Sequence, residues 1–259
     1  MKLYIPTSGR WDRQETWKWL PPEYQQMTSL VVQGKEYDRY RKAGYDNLLM
    51  LPPEIKTVGP TRQWILDHCP DNKMIVMDDD LRFSARISPD STKLRKSTPE
   101  DMKNMFVVLD AYLYDALHVS ISPREGNNRH PDLLKQVGRS TAVLGYRPQA
   151  LRSLGVRFDR VPIKMDFDAT LQLLSMGHPN YISYAWAHDQ SSNASGGCSA
   201  YRTPEMLEEG ARTLAALHPG YVKVVEKTTK GAWGGGTRTD VRVQWKKAYD
   251  NAVHTSPKC

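Results

Sequence analysis

The sequence is poor in cysteine and lacks any long apolar run. Its three cysteines, Cys69, Cys198 and Cys259, are far apart and form no Cys-x-x-Cys pair. Neither a disulfide framework nor a cysteine-based zinc site is therefore expected, and a reducing compartment fits. No stretch approaches the ~18 apolar residues of a membrane span, and the N-terminus lacks the apolar core of a signal peptide. We expect a soluble, cytoplasmic chain with no membrane partner and no obligate protein partner.

The chain has more basic than acidic residues. It carries 36 Lys and Arg against 29 Asp and Glu over 259 residues, a formal net charge of +7. This excess is consistent with an anionic partner such as nucleic acid, although basic housekeeping enzymes share it. The length suits one large α/β core, and no repeat or linker divides it.

Short apolar runs alternate with helical stretches in the first 80 residues. Such βαβ alternation predicts an α/β fold, with a Rossmann-like, mostly parallel central sheet flanked by helices. Thr98 and Pro99 are typical of a helix start, and that helix should reach about Ala116. Residues 84–96 are polar and predict a loop. The predicted strands are 3–5, 30–32, 48–51, 74–77, 118–122, 142–146, 180–186 and 221–225, and further helices are 61–68, 166–176 and one from Thr203.

The most informative segment is residues 73–80, in which four apolar residues lead into Asp78, Asp79 and Asp80. An apolar run of this kind predicts a buried strand, and three unpaired carboxylates at its end are costly to bury. A hard divalent cation such as Mg²⁺ or Mn²⁺ takes oxygen ligands and is often shared with phosphates. The segment therefore predicts a cation site, and the alternative is a solvated acidic turn or helix cap.

Two other polar clusters follow predicted strands. In an open parallel sheet, ligands bind outside the C-terminal ends of the strands. Small residues after the first strand let the backbone approach a phosphate, and an arginine can pair with it. The Gly-Pro turn at 59–60 leads into a helix start that suits an anion. Each cluster alone also fits an ordinary turn or cap. The candidate residues are Thr7, Ser8, Gly9, Arg10, Thr61 and Arg62.

Two later groups can complete such a site. Asp166 and Asp168 lie at a predicted helix start, where one can act as a general base toward a hydroxyl or merely compensate the helix dipole. His188 follows a strand and can bind a metal or a phosphate, although a lone histidine is usually structural. The loop 190–199 contains Gly196 and Gly197 and can close over a ligand or remain an ordinary surface loop.

Basic and aromatic residues are interleaved near the C-terminus. Residues 223–247 contain seven Lys or Arg, two acids, and Trp233 and Trp245. This composition suits a surface that follows a nucleic-acid backbone, with aromatic rings for stacking. The alternative is a solvated basic edge strand, which discourages aggregation.

Together these motifs resemble the GT-A glycosyltransferases. More narrowly, the chain resembles the phage TET/JBP-associated glycosyltransferases, which glycosylate hydroxymethylated pyrimidines in DNA. The GT-A resemblance spans roughly residues 1–190. The segments that carry the narrower resemblance are 4–10 (YIPTSGR), 59–64 (GPTRQW), 75–80 (IVMDDD), 196–199 (GGCS) and 201–203 (YRT).

The resemblance implies one GT-A-like catalytic domain over residues 1–259, with a basic C-terminal extension. Residues 1–120 would form the nucleotide-sugar-binding half and 121–259 the acceptor-binding half. The donor would be a nucleotide-diphosphate sugar, a UDP-sugar first, and the cofactor Mn²⁺ or Mg²⁺. The acceptor would be the hydroxymethyl group of 5-hydroxymethylcytosine or 5-hydroxymethyluracil in phage DNA, modified in the host cytoplasm.

The resemblance also implies residue roles. Asp80, Asp78 and His188 would bind the metal, and Asp78 would also face the ribose. Asp166 lies where inverting members keep their catalytic carboxylate. The usual acidic pair there is Glu-Asp, whereas this chain has Met165-Asp166, so Asp168 as the base and a retaining outcome stay open. The expected donor-binding residues are Thr7, Ser8, Gly9, Arg10, Thr61, Arg62, Asp78 and Asp79.

Three rival functions remain at the level of sequence. A GT-A enzyme acting on a carbohydrate or protein predicts no salt-sensitive DNA binding. A metal-dependent nuclease or nucleotidyltransferase built on the three aspartates predicts DNA cleavage or nucleotide incorporation. A basic DNA-binding module with a vestigial site predicts binding without turnover.

Overall fold

The structure, a computed structural model, describes residues 1–190, 202–229 and 236–255. The strands within these ranges are β1 (Lys2–Pro6), β2 (Thr28–Gln33), β3 (Leu48–Leu51), β4 (Met74–Met77), β5 (Leu81–Arg86), β6 (Leu94–Lys96), β7 (His118–Pro123), β8 (Leu134–Gln136), β9 (Val143–Tyr146), β10 (Asn180–Gln190), β11 (Val222–Thr229) and β12 (Gly236–Val243). The α-helices are α1 (Glu15–Trp19), α2 (Pro22–Met27), α3 (Tyr37–Lys42), α4 (Val58–His68), α5 (Pro99–Asp115), α6 (Pro148–Ser153), α7 (Met165–Ser175), α8 (Pro204–Leu217) and α9 (Trp245–Thr255).

Ten strands form the central sheet, in the order β3-β2-β1-β4-β9-β7-β10-β5-β6, with β8 also paired to β10. The first four strands pair in parallel, as the βαβ pattern predicts. Beyond β4, strands β9, β5 and β8 run in the opposite direction, whereas β7, β10 and β6 share the direction of β4. Most strands therefore point the same way, and the predicted mostly parallel α/β sheet is confirmed.

The sheet is buried on both faces. Leu3 and Ile5 of β1 pack in one apolar cluster with Phe106 of α5. Tyr4, which lies between them, packs on the other face with Ile65 of α4. This alternation follows from the two-residue period of a strand, and helices on both faces explain why β1 contains three consecutive apolar residues.

Helix α5 begins where the sequence predicts. The Thr98 hydroxyl accepts a hydrogen bond from the Asp101 amide at 3.2 Å, and the Asp101 carboxylate accepts one from the Thr98 amide at 2.7 Å. This reciprocal capping box satisfies two amides that a helix start leaves without intrahelical partners. The helix ends at Asp115, within one residue of the prediction.

The prediction of a loop over residues 84–96 is wrong at both ends, where residues 84–86 and 94–96 pair in a hairpin of β5 and β6, and holds for the connection 87–93. Phe83 and Ala85 are buried, and β5 pairs with the end of β10. The polar residues of this segment suggested exposure to solvent, but Ser84 and Arg86 are buried. Arg86 donates to the carbonyl of Pro131 at 2.6 Å, so its charge is satisfied by backbone that lies far away in sequence.

The C-terminal elements pack against α7. Helix α8, the β11–β12 hairpin and α9 share an apolar cluster with that helix, in which Leu171 and Leu174 meet Leu214, Val241 and Ala248. The hairpin forms a second, two-stranded sheet. Among the described residues, no helix has the length and apolarity that crossing a membrane requires.

Candidate active site

The three aspartates form a tight turn between β4 and β5. Thr16 of α1 holds this turn, because its hydroxyl donates to the Asp78 carbonyl at 2.6 Å and accepts from the Leu81 amide at 2.9 Å. The Asp78 amide donates to the Ala142 carbonyl at 2.9 Å. The backbone of this turn, which we call the acid turn (residues 78–80), is therefore fixed from two sides.

Asp79 points into the protein and links the acid turn to the loop after β1. Its side chain forms an ion pair with Arg10 and accepts a 2.5 Å hydrogen bond from the Thr7 hydroxyl. The Thr7 oxygen in turn accepts from the Gln14 amide at 2.7 Å and lies 2.9 Å from the Tyr40 hydroxyl. Burial raises the pKa of Asp79 to about 6, although Arg10 and Thr7 both oppose the shift. Asp79 thus serves to join two loops.

Asp78 and Asp80 are more open. Asp78 pairs with Arg62 at 2.5 Å and accepts from the Gln190 amide at 3.2 Å, and its side chain is 30% exposed. Asp80 lies 3.3 Å from Arg10, but its Oδ1 is buried and has no hydrogen-bond partner among the described residues. Burial and the neighbouring Asp78 raise the pKa of Asp80. Three carboxylates thus share two guanidinium groups, which leaves negative charge for a further cation.

The loop after β1 needs its glycine. Gly9 has φ of 68°, in the left-handed region that glycine adopts without steric cost. Its amide donates to Glu36 at 2.9 Å, which closes the loop over the end of β2. Ser8 is partly buried beside it. The predicted donor-binding loop therefore lies at the same sheet edge as the acid turn.

Helix α4 begins three residues earlier than predicted, at Val58. Both the amide and the hydroxyl of Thr61 consequently bond to the Thr57 carbonyl, at 3.0 and 2.9 Å. Thr61 is occupied within the helix, and its role toward a ligand stays a prediction. Arg62 instead reaches the acid turn. It is 2% exposed, and its Nε and Nη1 have no hydrogen-bond partner in the described part of the chain.

The two aspartates of α7 have different surroundings. Asp166 lies within electrostatic range of Arg62, Arg139 and Asp78. Burial raises its pKa, and the two arginines oppose the shift. Asp168, two residues further and on the opposite side of the helix, is fully buried away from this group. The geometry therefore brings Asp166, and not Asp168, to the acid turn.

Asp168 is held by three side chains. It accepts hydrogen bonds from His218 at 2.7 Å and from Gln172 at 2.9 Å, and it pairs with Arg160 at 3.3 Å. These contacts tie α7 to the end of α8. Asp168 therefore stabilises the packing of α7 and α8, although it lies only two residues from Asp166 in the sequence.

His188 is buried near the end of β10. Its Nε2 lies 3.4 Å from the Thr141 hydroxyl, and its Nδ1 is buried without a hydrogen-bond partner among the described residues. Burial and Arg139 lower its pKa to about 4, so the imidazole is neutral near pH 7 and able to bind a metal. The described residues contain no group of three or more His, Cys, Asp or Glu side chains arranged to hold a metal ion. The set of Asp78, Asp80 and His188 therefore stays a prediction.

The loop between β8 and β9 was missed by sequence reasoning. Val137 and Ala142, at its two ends, have φ of 60° and 62°. Positive φ in a β-branched residue is costly, and such strain is concentrated at functional sites. The loop places Arg139 near both Asp166 and His188, and Thr141 beside His188. The polar run 138–141 between two strands was the available signal.

A second ionic cluster surrounds Asp240 on β12 and was also missed. Asp240 accepts from Lys164 at 2.8 Å and Lys227 at 2.9 Å, and Arg238 lies 3.7 Å away. Although burial acts in the opposite direction, the two lysines hold the pKa of Asp240 well below its usual range. Lys164 precedes α7, with φ of 65°. The cluster therefore fixes the hairpin to the start of the helix that carries Asp166.

Part of the sequence-based prediction falls on residues that the structure leaves undescribed. The Gly196-Gly197 loop, the segment 196–199, Tyr201 and Trp233 all lie outside the described ranges. Arg202 and Thr203 lie inside them, and Thr203 caps α8 through a 3.3 Å hydrogen bond from the Met206 amide. The predicted lid therefore stays a prediction.

The fold is of the GT-A type, and two solved structures of low sequence identity share it. A crystal structure of S. aureus TarS 1–349 in complex with UDP-GlcNAc matches with a TM-score of 0.51 and 14% sequence identity, over 84% of this chain and 66% of that one. A crystal structure of a mycobacterial protein matches with a TM-score of 0.51 and 12% identity, over 93% of this chain and 83% of that one. This chain therefore spans slightly less than two thirds of the TarS fragment.

The sequence itself assigns the family. The family model described as TET-Associated Glycosyltransferase matches residues 1–197, and the chain belongs to that family. No curated protein sequence matches this chain. The expected resemblance to this family is thereby confirmed.

Proposed function

We propose that this glycosyltransferase moves a sugar from a UDP-sugar to the hydroxymethyl group of a modified pyrimidine in phage DNA, with Mn²⁺ or Mg²⁺. One observation carries the proposal: Asp78, Arg62 and Asp166, from three distant segments, converge at one sheet edge. The family description, TET-Associated Glycosyltransferase, supports the acceptor, since the resemblance to that family implies glycosylation of hydroxymethylated pyrimidines in DNA. The UDP-GlcNAc bound by TarS supports the donor class.

The two arginines suit the donor diphosphate. Arg62 is buried beside the acid turn, and its Nε and Nη1 have no partner in the described ranges. Unpaired buried N–H groups are costly, and a phosphate oxygen relieves that cost through a charge-assisted hydrogen bond. Arg10, held by Asp79, also lies 3.3 Å from Asp80 in the same turn. A diphosphate bound between them would lie at the C-terminal edge of the parallel strands, where ligands of such sheets bind.

The acid turn fits a divalent cation in its donor chemistry. Asp80 Oδ1 is buried without a partner in the part of the chain that the structure describes, and Asp78 lies in the same turn. Carboxylate oxygens are the ligands that Mg²⁺ and Mn²⁺ prefer, and Mg²⁺ usually completes its shell with water and substrate phosphates. Asp78 and Asp80 would hold the ion, and His188, from a later position in the chain, would be a further ligand. Once bound, such an ion neutralises charge on the leaving diphosphate.

Asp166 would be the general base. Its raised pKa makes it a stronger base than an ordinary aspartate, and Arg62 and Arg139 oppose that rise. The bond from the sugar C1 to the diphosphate breaks, a bond from C1 to the acceptor oxygen forms, and Asp166 takes the hydroxyl proton. A base inside a duplex cannot reach this edge, so a flipped or single-stranded base is expected.

The test offers the protein Mn²⁺, a panel of nucleotide sugars and DNA with or without hydroxymethylated pyrimidines. Released nucleoside diphosphate and the mass of the digested nucleosides are measured. A hexose mass gain on modified DNA only, lost in Asp166→Asn and kept in the exposed control Asp115→Asn, is the expected result. Donor hydrolysis without labelled DNA would move the acceptor to a carbohydrate or protein. DNA cleavage or nucleotide incorporation would instead identify a nuclease or nucleotidyltransferase.

A further inference from the structure

A groove outside the acid turn lies between the end of β8 and the start of α9. Its volume is about 610 Å³, within the range of ligand-binding clefts. Two segments that are a hundred residues apart form its walls. The side chains that matter for its chemistry are Lys135, Trp245, Lys246, Lys247, Tyr249 and Asp250.

The groove has a basic and aromatic lining. It contains three lysines and one aspartate, and Lys246 and Lys247 are exposed. Lys247 reaches the Gly220 carbonyl at 3.3 Å, a contact that leaves its charge uncompensated. Lysine clusters bind phosphates as point charges, and aromatic faces stack on bases. An anionic polymer with flat rings fits this lining better than a neutral sugar or an apolar peptide.

A series of side-chain contacts connects the groove to the helix that carries the proposed base. The rings of Trp245 and Phe167 lie 5.3 Å apart at an interplanar angle of 76°. The Arg139 guanidinium lies 4.9 Å from the centre of the Phe167 ring. Arg139 is also an electrostatic neighbour of Asp166. Phe167 directly follows Asp166 in α7. The groove is thus adjacent to Phe167, the residue that follows the proposed base.

We propose that this groove binds the phosphodiester backbone of the acceptor strand next to the base that receives the sugar. This inference rests on the proposed function and deepens it, since it assigns a place for the acceptor. Lys135, Lys246 and Lys247 contact phosphates, and Trp245 and Tyr249 provide ring faces for neighbouring bases. Asp250 at the rim limits how far the strand can lie along α9.

The test compares Lys246→Ala/Lys247→Ala with the unaltered protein. DNA binding is measured by fluorescence anisotropy on a single-stranded oligonucleotide that contains hydroxymethylcytosine, across a series of salt concentrations. The dissociation constant should rise at least about fivefold, and the slope of log K against log salt should fall by about 1.4, or ~0.7 per lost phosphate contact. Lys42→Ala/Lys93→Ala removes the same charge from exposed positions elsewhere and should change neither quantity.

A second variant keeps the test independent of α9. Lys135 lies on β8. Lys135→Ala should also raise the dissociation constant for DNA, and it should lower the slope of log K against log salt by about half as much as the double variant does. Unaltered affinity and slope in both variants, in a protein that binds DNA and transfers sugar, would overturn the groove and leave the proposed function standing. If the unaltered protein neither binds DNA nor labels it, the groove and the proposed DNA acceptor are both refuted.

Discussion

Two carboxylate clusters in this protein have opposite electrostatic balance. In the acid turn, three aspartates share Arg10 and Arg62, and burial raises the pKa of both Asp79 and Asp80. Around Asp240, one carboxylate has three cations within 4 Å, and its pKa lies well below the usual range. The same ion-pair chemistry thus leaves one cluster short of positive charge and the other well supplied.

The difference indicates distinct purposes. Around Asp240, hydrogen-bonded cations compensate the buried carboxylate, and removing that carboxylate would leave Lys164 and Lys227 without their partner. A cluster with an uncompensated buried carboxylate costs stability until a ligand supplies the missing charge. Asp240 holds the hairpin to α7, whereas the charge deficit of the acid turn suits the cation that we propose for it.

The largest effect should come from Asp80→Ala, which removes a carboxylate from the charge-deficient cluster. We expect sugar transfer to fall about 10⁴-fold, since stabilisation of the leaving diphosphate by a cation is worth several kcal/mol. The melting temperature should stay equal or rise, because a buried, incompletely paired carboxylate is lost. Turnover assays with saturating Mn²⁺ and donor, together with calorimetry, check both. Activity close to that of the unaltered protein would contradict the role of the acid turn.

The next effect should come from the two aspartates of α7. Asp166→Asn should lower kcat by about 10³-fold with little change in stability, as expected for loss of a general base. Asp168→Asn should instead destabilise the protein by about 1–3 kcal/mol, because His218 and Arg160 lose a charged partner. Urea titrations and initial rates measured below the melting transition separate the two. A larger loss of kcat in Asp168→Asn would exchange their roles.

The compensated cluster predicts a loss of stability. Asp240→Ala leaves Lys164 facing Lys227 across a partly buried site, and should cost about 2 kcal/mol, between the values for exposed and buried pairs. Because Lys164 precedes α7, kcat should also fall severalfold as Asp166 loses its fixed position. Glu23→Ala, which breaks the exposed pair with Lys103, is the control and should cost much less stability than Asp240→Ala. If Asp240→Ala and Glu23→Ala lost equal free energy of unfolding, the Asp240 cluster would contribute no more to stability than an exposed ion pair.

The smallest expected effect concerns pH. The pKa of Asp79 is raised to about 6 in the folded protein from an ordinary value of 3.8, so its contribution to stability is fully present below pH 3.8 and is lost as the pH rises through 6. In EDTA, the free energy of unfolding should therefore gain about 1 kcal/mol from this group between pH 7.5 and 5. Asp79→Asn should remove that gain.

Asp240 predicts the opposite dependence. Its lowered pKa gives a contribution that is present above pH 3.8 and is lost as the pH falls below that value. It should add no slope between pH 7.5 and 5. Asp240→Asn should therefore keep the gain that Asp79→Asn removes. Chemical denaturation at several pH values measures all three proteins, and a loss of the gain in Asp240→Asn would be the contrary result.

Local patterns in the sequence determined much of the fold. The apolar runs of β1, β2, β3 and β4, the Thr98 cap of α5 and the acid turn all depend on residues close together in the chain, so their patterns predict them. The hairpin of β5 and β6 escaped because Arg86 is satisfied by the carbonyl of Pro131. No local rule shows that a polar residue will find such a distant partner.

The sequence by itself determined the α/β class, the family and the position of the acid turn, because each is written in contiguous residues. Tertiary structure alone decided which carboxylate of α7 joins that turn, since Asp166 and Asp168 are equivalent as sequence and differ only in their neighbours. It also brought Lys164 to Asp240 and Lys135 to Trp245, across about 75 and 110 residues of chain. Burial and charge at these sites depend on distant segments, and only folding brings those segments together.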